Sequence, residues 1–322
     1  MRTVPETMRA MAIDRFGGPD VLTMHTLPVP EVGASEVLIA VHTAEVGGWD
    51  AQVRDGSMSD EKPRFPLLLG GGGSGTIAAV GSRVKRFKIG DPVYSYAWGN
   101  SKGGFYAEYV AAPEKTVAPI PAPLDLAQAG AIPIAAVTAI QGTDDTLQLK
   151  KGEHVIILGA SGGLGVFAIQ FAKLRGARVL AIASGQDGVA LARKLGADVA
   201  IDGRADDVAA AARALAPDGI DAVLALIGGK TLTKCLDTLR RGGRLAYPNG
   251  IEPEPRKRRG VKTKPYDGIA GRVQWERLAR AVTAARLQVP IAAEFPLAEA
   301  ARAHERLAQG HVVGKIDLRI SQ

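Results

Sequence analysis

The chain has 322 residues, 46% of them hydrophobic and 23% charged, with a formal net charge of +7; this predicts about two globular domains with full cores. No apolar run reaches the ~20 residues of a membrane-spanning helix, and the opening MRTVPETMRAM lacks the apolar centre of a secretory leader, so a cytoplasmic protein is expected. The single cysteine, Cys235, excludes an internal disulfide and a cysteine-rich zinc site, and reads as a small buried residue on a helix.

Residues 8–46 read as β structure: MRAMAI alternates before the turn Gly17-Gly18-Pro19, and EVLIAVHTAEV follows Gly33. Pro63, Pro66 and the run Gly70-Gly71-Gly72-Gly73 break the chain. TIAAVGSRVKRFKIGDPVYSYA then gives short strands joined at Gly81-Ser82 and Gly90-Asp91-Pro92, so the first third is expected to form a partly open β-barrel. From Leu124 the pattern changes. An Ala-rich helical stretch leads into alternating strands and helices: strand 154–158, helix 164–175, strand 178–183, helix 189–196, strand 198–201, helix 206–216, strand 221–227, helix 230–240 and strand 244–248. Such alternation predicts a parallel sheet covered on both faces. Helices at 272–287 and 297–310 and a strand at 315–320 complete the chain.

Arg256-Lys257-Arg258-Arg259, with Lys262 and Lys264, is interrupted by Pro253, Pro255 and Pro265 and reads as a solvated loop. A nucleic-acid patch is disfavoured because no aromatic interleaves with the basic run. Attraction for a phosphate-bearing ligand is the third reading.

Gly159-Ala160-Ser161-Gly162-Gly163-Leu164-Gly165 follows a buried-type strand and opens a helix. Backbone amides at a helix N-terminus receive phosphate, and glycines let the backbone approach it and let helix and strand pack closely. Leu164, Phe167, Ala168, Phe171 and Leu174 share one helix face, expected to lie on the sheet. With Gly176 and a second strand at βαβ spacing, the loop predicts a dinucleotide site; the alternative is a tight turn without ligand. At the end of the second strand an Asp or Glu would bond the ribose 2′-hydroxyl of NAD. Ser184 stands there and leaves room for the 2′-phosphate of NADP, with Asp187 three residues on as the opposing signal.

At this point the chain resembles the medium-chain dehydrogenase/reductase superfamily, in its zinc-independent quinone oxidoreductase (zeta-crystallin-like) branch. FGGPDVL, GASEVLIAVHTAEV, AAVGSRVKRFKIGDPVYSY, AIPIAAVTAIQG, KKGEHVIILGASGGLGVFAIQFAKLRGARVLA, ARKLGADVAID and FPLAEAARAHERLAQGHVVGKIDLRI carry the resemblance over nearly the whole length. It implies a GroES-like catalytic domain (1–124 and 289–322) and a Rossmann doubly wound parallel-sheet domain (125–288), with a site between them. Where zinc-dependent members have their Cys and Gly-His-Glu, this chain has Gly47-Gly48-Trp49-Asp50 and Leu69-Gly70-Gly71-Gly72, and its five histidines are scattered, so no metal is expected.

The resemblance assigns Thr138 to the nicotinamide amide, with a side chain bonded to its own backbone as the alternative. It assigns Gly159, Ser161, Gly162, Gly163, Leu164 and Gly165 to the pyrophosphate, and Ser184 and Arg204 to the 2′-phosphate. Pro248, Asn249 and Gly250, after a sixth strand, go beside the nicotinamide, and Lys315 to the cofactor or the substrate cleft. Gly203 replaces a frequent Tyr and Gly188 a frequent Lys, which weakens the NADP signal. On the substrate side Gly47 and Gln52 replace a frequent Asn and Tyr, while Asp50, Arg54 and Gly56 are retained; hydrogen bonding of Asp50 to turn amides is the alternative to a catalytic role. Trp49, Tyr96, Trp98 and Tyr106 are candidate pocket walls for a flat acceptor. The expected protein is an NADPH-dependent reductase of quinones or α,β-unsaturated carbonyls, with Asp50, Arg54, Tyr96 and Thr138 as candidate catalytic residues. It is expected to dimerise through the sheet edge supplied by DAVLALIGG…GRLAYPNG. The alternatives are a zinc-free alcohol dehydrogenase-like reductase and a non-enzymatic NADPH-binding protein with a nucleic-acid or protein partner.

Overall fold

The computed structural model describes residues 4–58 and 63–321; Met1–Thr3 of the N-terminal stretch lie outside the described residues. No helix among them is long and apolar enough to cross a membrane. The chain opens with β1 (Thr7–Ile13), β2 (Leu22–Pro28) and β3 (Glu36–Val46), then α1 (Gly48–Asp55), β4 (Leu67–Leu68), β5 (Gly72–Val80), β6 (Pro92–Tyr96), β7 (Tyr109–Pro113) and β8 (Val117–Pro119). Two short helices follow, α2 (Leu126–Gly130) and α3 (Pro133–Gln141). Then come β9 (His154–Leu158), α4 (Gly165–Leu174), β10 (Arg178–Ala183), α5 (Gly185–Lys194), β11 (Val199–Asp202), α6 (Val208–Leu215), β12 (Ile220–Ala225), α7 (Lys230–Asp237), β13 (Leu239–Pro248), β14 (Lys262–Tyr266) and α8 (Arg272–Ala285). The chain closes with β15 (Ile291–Pro296), α9 (Ala300–Ala308) and β16 (Lys315–Arg319).

The last strands return to the first sheet. A seven-stranded sheet runs β15-β16-β3-β5-β6-β8, with β7 also pairing β3, beside a three-stranded sheet β2-β1-β4. Their apolar faces meet in a core that includes Met11, Ile13, Ile39, Val41, Phe105 and Leu318. The six-stranded sheet, β11-β10-β9-β12-β13-β14, is parallel throughout. In β9, Val155 and Ile157 point to one apolar layer and Ile156 and Leu158 to the other. A strand buried on both faces needs helices on both sides, and each such Ile or Val contributes about 1.5–3 kcal/mol of apolar burial. This is the expected α/β architecture, a GroES-like barrel unit with a Rossmann-like sheet.

Five local expectations are corrected. Helix α4 is not one-faced: every residue from Gly165 to Ala172 is buried, because α3 and α8 pack over its outer side. Helix α7 stops at Asp237, where the Thr238 hydroxyl donates to the Cys235 carbonyl and β13 begins. The basic segment is not all loop, since Lys262 and Lys264 belong to β14. That strand makes β13 an interior strand paired on both sides, so the segment expected to supply a dimer edge does not; the edge is β14. Pro248-Asn249-Gly250 accordingly follow the fifth strand of this sheet, not the sixth.

Candidate active site

The glycine loop is built almost entirely of backbone. Gly159 takes a positive φ of 84°, which only glycine adopts freely, and its amide and that of Ala160 both donate to the Ile182 carbonyl, fixing the loop to β10. Gly162 N–H closes onto Gly159 C=O, and the amides of Val166 and Ala168 return to the carbonyls of Gly162 and Leu164. The amides of Gly163 and Leu164 find no partner among the described residues. They stand at the N-terminus of the ten-residue α4, where the helix dipole favours an anion. A Cβ at Gly165 would lie 2.2 Å from the Gly159 carbonyl oxygen, so helix and loop touch because no side chain is there. At Gly163 a Cβ would meet Lys315, at 3.4 Å from Cδ and 3.6 Å from Nζ, and the Gly314 carbonyl oxygen at 3.8 Å. The loop thus presents open amides with a lysine ammonium beside them. Ser161 is buried, and its carbonyl accepts from Gly314 N–H at 2.9 Å, which ties the loop to the chain's C-terminal return.

The two departures noted, at Gly188 and Gly203, lie where a Cβ would be crowded in this structure. A Cβ at 188 would approach Ser161 Oγ to 2.9 Å, and one at 203 would approach Ile182 Cγ2 to 2.6 Å. Ser184 follows β10 as the N-cap residue of α5, and its hydroxyl meets His311 Nδ1 at 3.1 Å, while His311 Nε2 meets Asp187 Oδ2 at 3.0 Å. The amide of Gly188 holds the Asp187 carboxyl below its ordinary value. His311, read from sequence as one of several scattered histidines, instead joins the two residues expected to compete over the cofactor's ribose. Arg204 donates its amide to Asp202 Oδ1, and its guanidinium has no partner among the described residues.

On the barrel side the charges are buried. Lys315 Nζ donates to Glu45 Oε2 at 2.9 Å, with side-chain exposures of 2% and 0%. Glu45 Oε1 accepts from the amide of Ile134, at the start of α3, so the pair links β3, β16 and α3. Burial pushes the Glu45 carboxyl up while Lys315 and that amide pull it back. The Glu45 carboxylate fills the space beside Gly72, where a Cβ would lie 2.7 Å from Oε1. Lys315 Nζ also sits 5.7 Å from the Trp49 ring centroid, a cation–π geometry. Asp317, on the same face of β16, is 1% exposed, its Oδ1 has no partner among the described residues, and burial raises its carboxyl to about 8.

The expected site residues divide in the structure. Thr138 is buried with no hydrogen bond to its own backbone; Gly268 presses on it so closely that a Cβ there would lie 2.2 Å from Oγ1. The segment bearing Gly268 is held by Tyr96, whose hydroxyl donates to its carbonyl at 2.7 Å, and by Gln141, bonded both ways to the Ile269 backbone. Asn249 bonds Asp267, and Gln52 reaches from α1 to the Gly250 carbonyl, bridging the two lobes. Asp50 accepts from the amides of Gly47 and Gly70, the turn-amide alternative, and burial raises its carboxyl to about 7. Arg54 points into the barrel instead of the cleft, with its guanidinium bonded to the Gly17 carbonyl and His304 Nδ1. Tyr106 is fully buried against His304 Nε2 and does not line the barrel-side cleft; burial, then Arg54, drops the His304 imidazole to about 3. Of the four ring candidates, only Trp98 lines the cleft of about 790 Å³ on the barrel side, with Asp50, Met58, Leu69, Gly71 and Lys102. Among the described residues no cluster of three or more His, Cys, Asp or Glu side chains could hold a metal.

Sequence reading missed Glu45, His304 and His311. An acid inside the otherwise apolar run of β3 was the available signal for Glu45; nothing local marked the other two.

Residues 33–122 match the alcohol dehydrogenase GroES-like domain, and residues 195–317 match the zinc-binding dehydrogenase family. A quinone oxidoreductase of Lama guanicoe is 32% identical over 99% of each chain. An NADPH-dependent alkenal/one oxidoreductase of Arabidopsis thaliana is 31% identical over 98% of this chain and 80% of its own. A crystal structure of an NAD-dependent alcohol dehydrogenase superposes with a TM-score of 0.90 at 32% identity, covering 98% of this chain and 100% of its own. The chain is therefore an oxidoreductase that belongs to the medium-chain dehydrogenase/reductase superfamily, in its quinone oxidoreductase family.

Proposed function

We propose that the protein is an NADPH-dependent reductase that acts on quinones or α,β-unsaturated carbonyls without a metal. The observation that carries this reading is the pair of open amides at Gly163 and Leu164, with the Lys315 ammonium beside them. The fit to a dinucleotide is steric as well as polar, because Gly163 leaves bare backbone beside the Lys315 ammonium and Gly165 lets the helix close onto the loop at Gly159. Gly162, Gly163, Leu164 and Gly165 with Lys315 would hold the diphosphate, Ser161 bracing the loop. Thr138 and Pro248-Asn249-Gly250 would flank the nicotinamide, and Ser184 and Arg204 would face the 2′-phosphate. When bound, the reduced nicotinamide supplies a hydride.

The residues of the chain position and shield. Orientation of two reactants in a cleft is worth roughly 7–11 kcal/mol when well aligned. Tyr96 and Gln141 fix the segment that packs on Thr138, and Trp98 offers an aromatic face to a flat acceptor in the cleft. Asp50 and Arg54 act through others: Asp50 holds the turns at Gly47 and Gly70, and Arg54 holds the His304–Tyr106 pair. The metal-free reading is supported by the donor set, since Gly47, Gly71 and Gly72 offer no ligand and Glu45 is committed to Lys315. We assign residues 1–124 and 289–322 to the catalytic domain and 125–288 to the cofactor domain. The homodimer expected from the resemblance would have β14 as its edge, where Lys262, Lys264 and Pro265 oppose strand addition.

Steady-state assays with NADPH and a panel of quinones, enals and simple aldehydes test the reading. Turnover of quinones or enals is expected. Turnover of aldehydes alone would select the alcohol dehydrogenase-like reading, and tight NADPH binding with no turnover would select a binding protein. One observation favours a second reading on the cofactor, NADH: Asp187 sits within hydrogen-bond range of the group that also contacts Ser184.

A further inference from the structure

The passage from β10 into α5 carries both an acid that would repel a 2′-phosphate, Asp187, and a serine that would accept one, Ser184, joined through a single imidazole. His311 reaches them from the segment between α9 and β16, that is, from the barrel side of the chain. It sits at φ 47°, in the left-handed region, which non-glycine residues seldom occupy. Arg306 holds that conformation by donating to the carbonyls of Gly310 and His311. Across from the ring, a Cβ on Gly185 would lie 2.7 Å from His311 Cε1, so glycine at 185 lets the imidazole dock against the start of α5.

The hydrogen-bond roles follow from chemistry. Ionised Asp187 is an acceptor only, so Nε2 must carry a proton to bond it. In the neutral imidazole, Nδ1 is then an acceptor, and it uses the hydroxyl proton of Ser184. The site in that state is negative and its hydroxyl is engaged internally. When the imidazole gains a second proton, Nδ1 becomes a donor to Ser184 Oγ. The hydroxyl proton is then free to turn outward, and the imidazolium cancels the charge of Asp187. The other charged groups nearby are Arg306 on the His311 carbonyl, Asp202 on the Gly185 amide, and Arg204 beside Asp202. None of these bonds the ring.

We propose that His311 sets the choice between NADPH and NADH, its neutral form favouring the free 2′-hydroxyl and its protonated form admitting the 2′-phosphate. The proposal rests on the cofactor reading above. It explains how one chain can carry Ser184 and Asp187 together: the imidazole decides which of them faces the ligand.

Fluorescence titration of each cofactor into the full chain, at about pH 6 and about pH 8.5, spans the range in which imidazoles titrate. The preference for NADPH over NADH is expected to rise roughly tenfold toward the acidic end, the order that one added charge a few ångströms away yields at a partly solvated site. His311→Asn is the chosen variant because asparagine tolerates a positive φ. In it the acidic gain disappears, and the preference falls slightly instead, because the 2′-phosphate takes up its own proton near pH 6. Ser184→Ala should lose several-fold of the NADPH gain at the acidic end. An identical pH profile in wild type and His311→Asn, with both cofactors bound, would overturn the proposal, as would an undiminished gain in Ser184→Ala. Failure of either cofactor to bind the folded wild type would instead strike the cofactor reading itself. Thermal melting of each variant at both pH values shows whether it is folded.

Discussion

The two lobes that meet at the site manage charge in opposite ways. At the glycine loop the polar groups are backbone amides left open at the end of α4, and the side chains are absent. Across from it the polar groups are whole side chains, Glu45, Lys315 and Asp317, sunk to 2% exposure or less. Open amides are cheap to maintain because solvent or a ligand satisfies them, whereas buried charges stabilise only as a pair with every partner in place. The loop is therefore a place where a ligand can come and go. The ion pair is a fixed girder, joining β3, β16 and the start of α3 so that the lysine stays aimed beside Gly163.

Three experiments bear on that contrast. The largest effect is expected from Glu45→Gln, which leaves Lys315 buried without its counter-charge. Denaturant unfolding near neutral pH should show a loss of about 3–5 kcal/mol, and adding Lys315→Met should recover much of it. A loss under ~1 kcal/mol would mean that the pair holds nothing together. Next comes the loop. Gly165→Ala forces a Cβ against the Gly159 carbonyl oxygen and should cost about 1–3 kcal/mol, whereas Gly163→Ala meets only ordinary contact distances and should unfold like the wild type.

The smallest effect concerns Asp317. Its folded carboxyl titrates at about 8, against an ordinary value of 3.8. An acid raised in the folded state contributes full stability below its unfolded value and loses it as pH climbs toward the folded one. Asp317→Asn should therefore melt a few °C above the wild type at about pH 8, with the gap closing toward about pH 4. Equal melting temperatures at both ends would show that Asp317 is not held protonated.

What could be read from sequence follows the same division. A strand, a glycine loop, a helix and a second strand are local in sequence, so periodicity and turn chemistry located β9, α4 and β10. The family resemblance then supplied the order of the whole fold. Contacts made by distant residues were not legible. Glu45 and Lys315 are 270 residues apart, and Ser184 and His311 are 127 apart; no local pattern relates them. The same limit misplaced Arg54 and Tyr106, whose shared partner His304 arrives from the other end of the chain. The sheet edge was misassigned because β14 lies in a Pro- and Lys-rich segment with little strand signature, yet it completes the parallel sheet.

The central claim is that the open amides beside Gly163 receive a dinucleotide's diphosphate. Titrating NADPH into wild type and Gly163→Ala, with both shown to be equally stable, tests it most directly. Saturable binding to the wild type, weakened roughly tenfold or more by one methyl group set in the diphosphate's path, is the predicted result. Equal affinity in the two proteins, or no affinity in a folded wild type for either pyridine nucleotide, would contradict it.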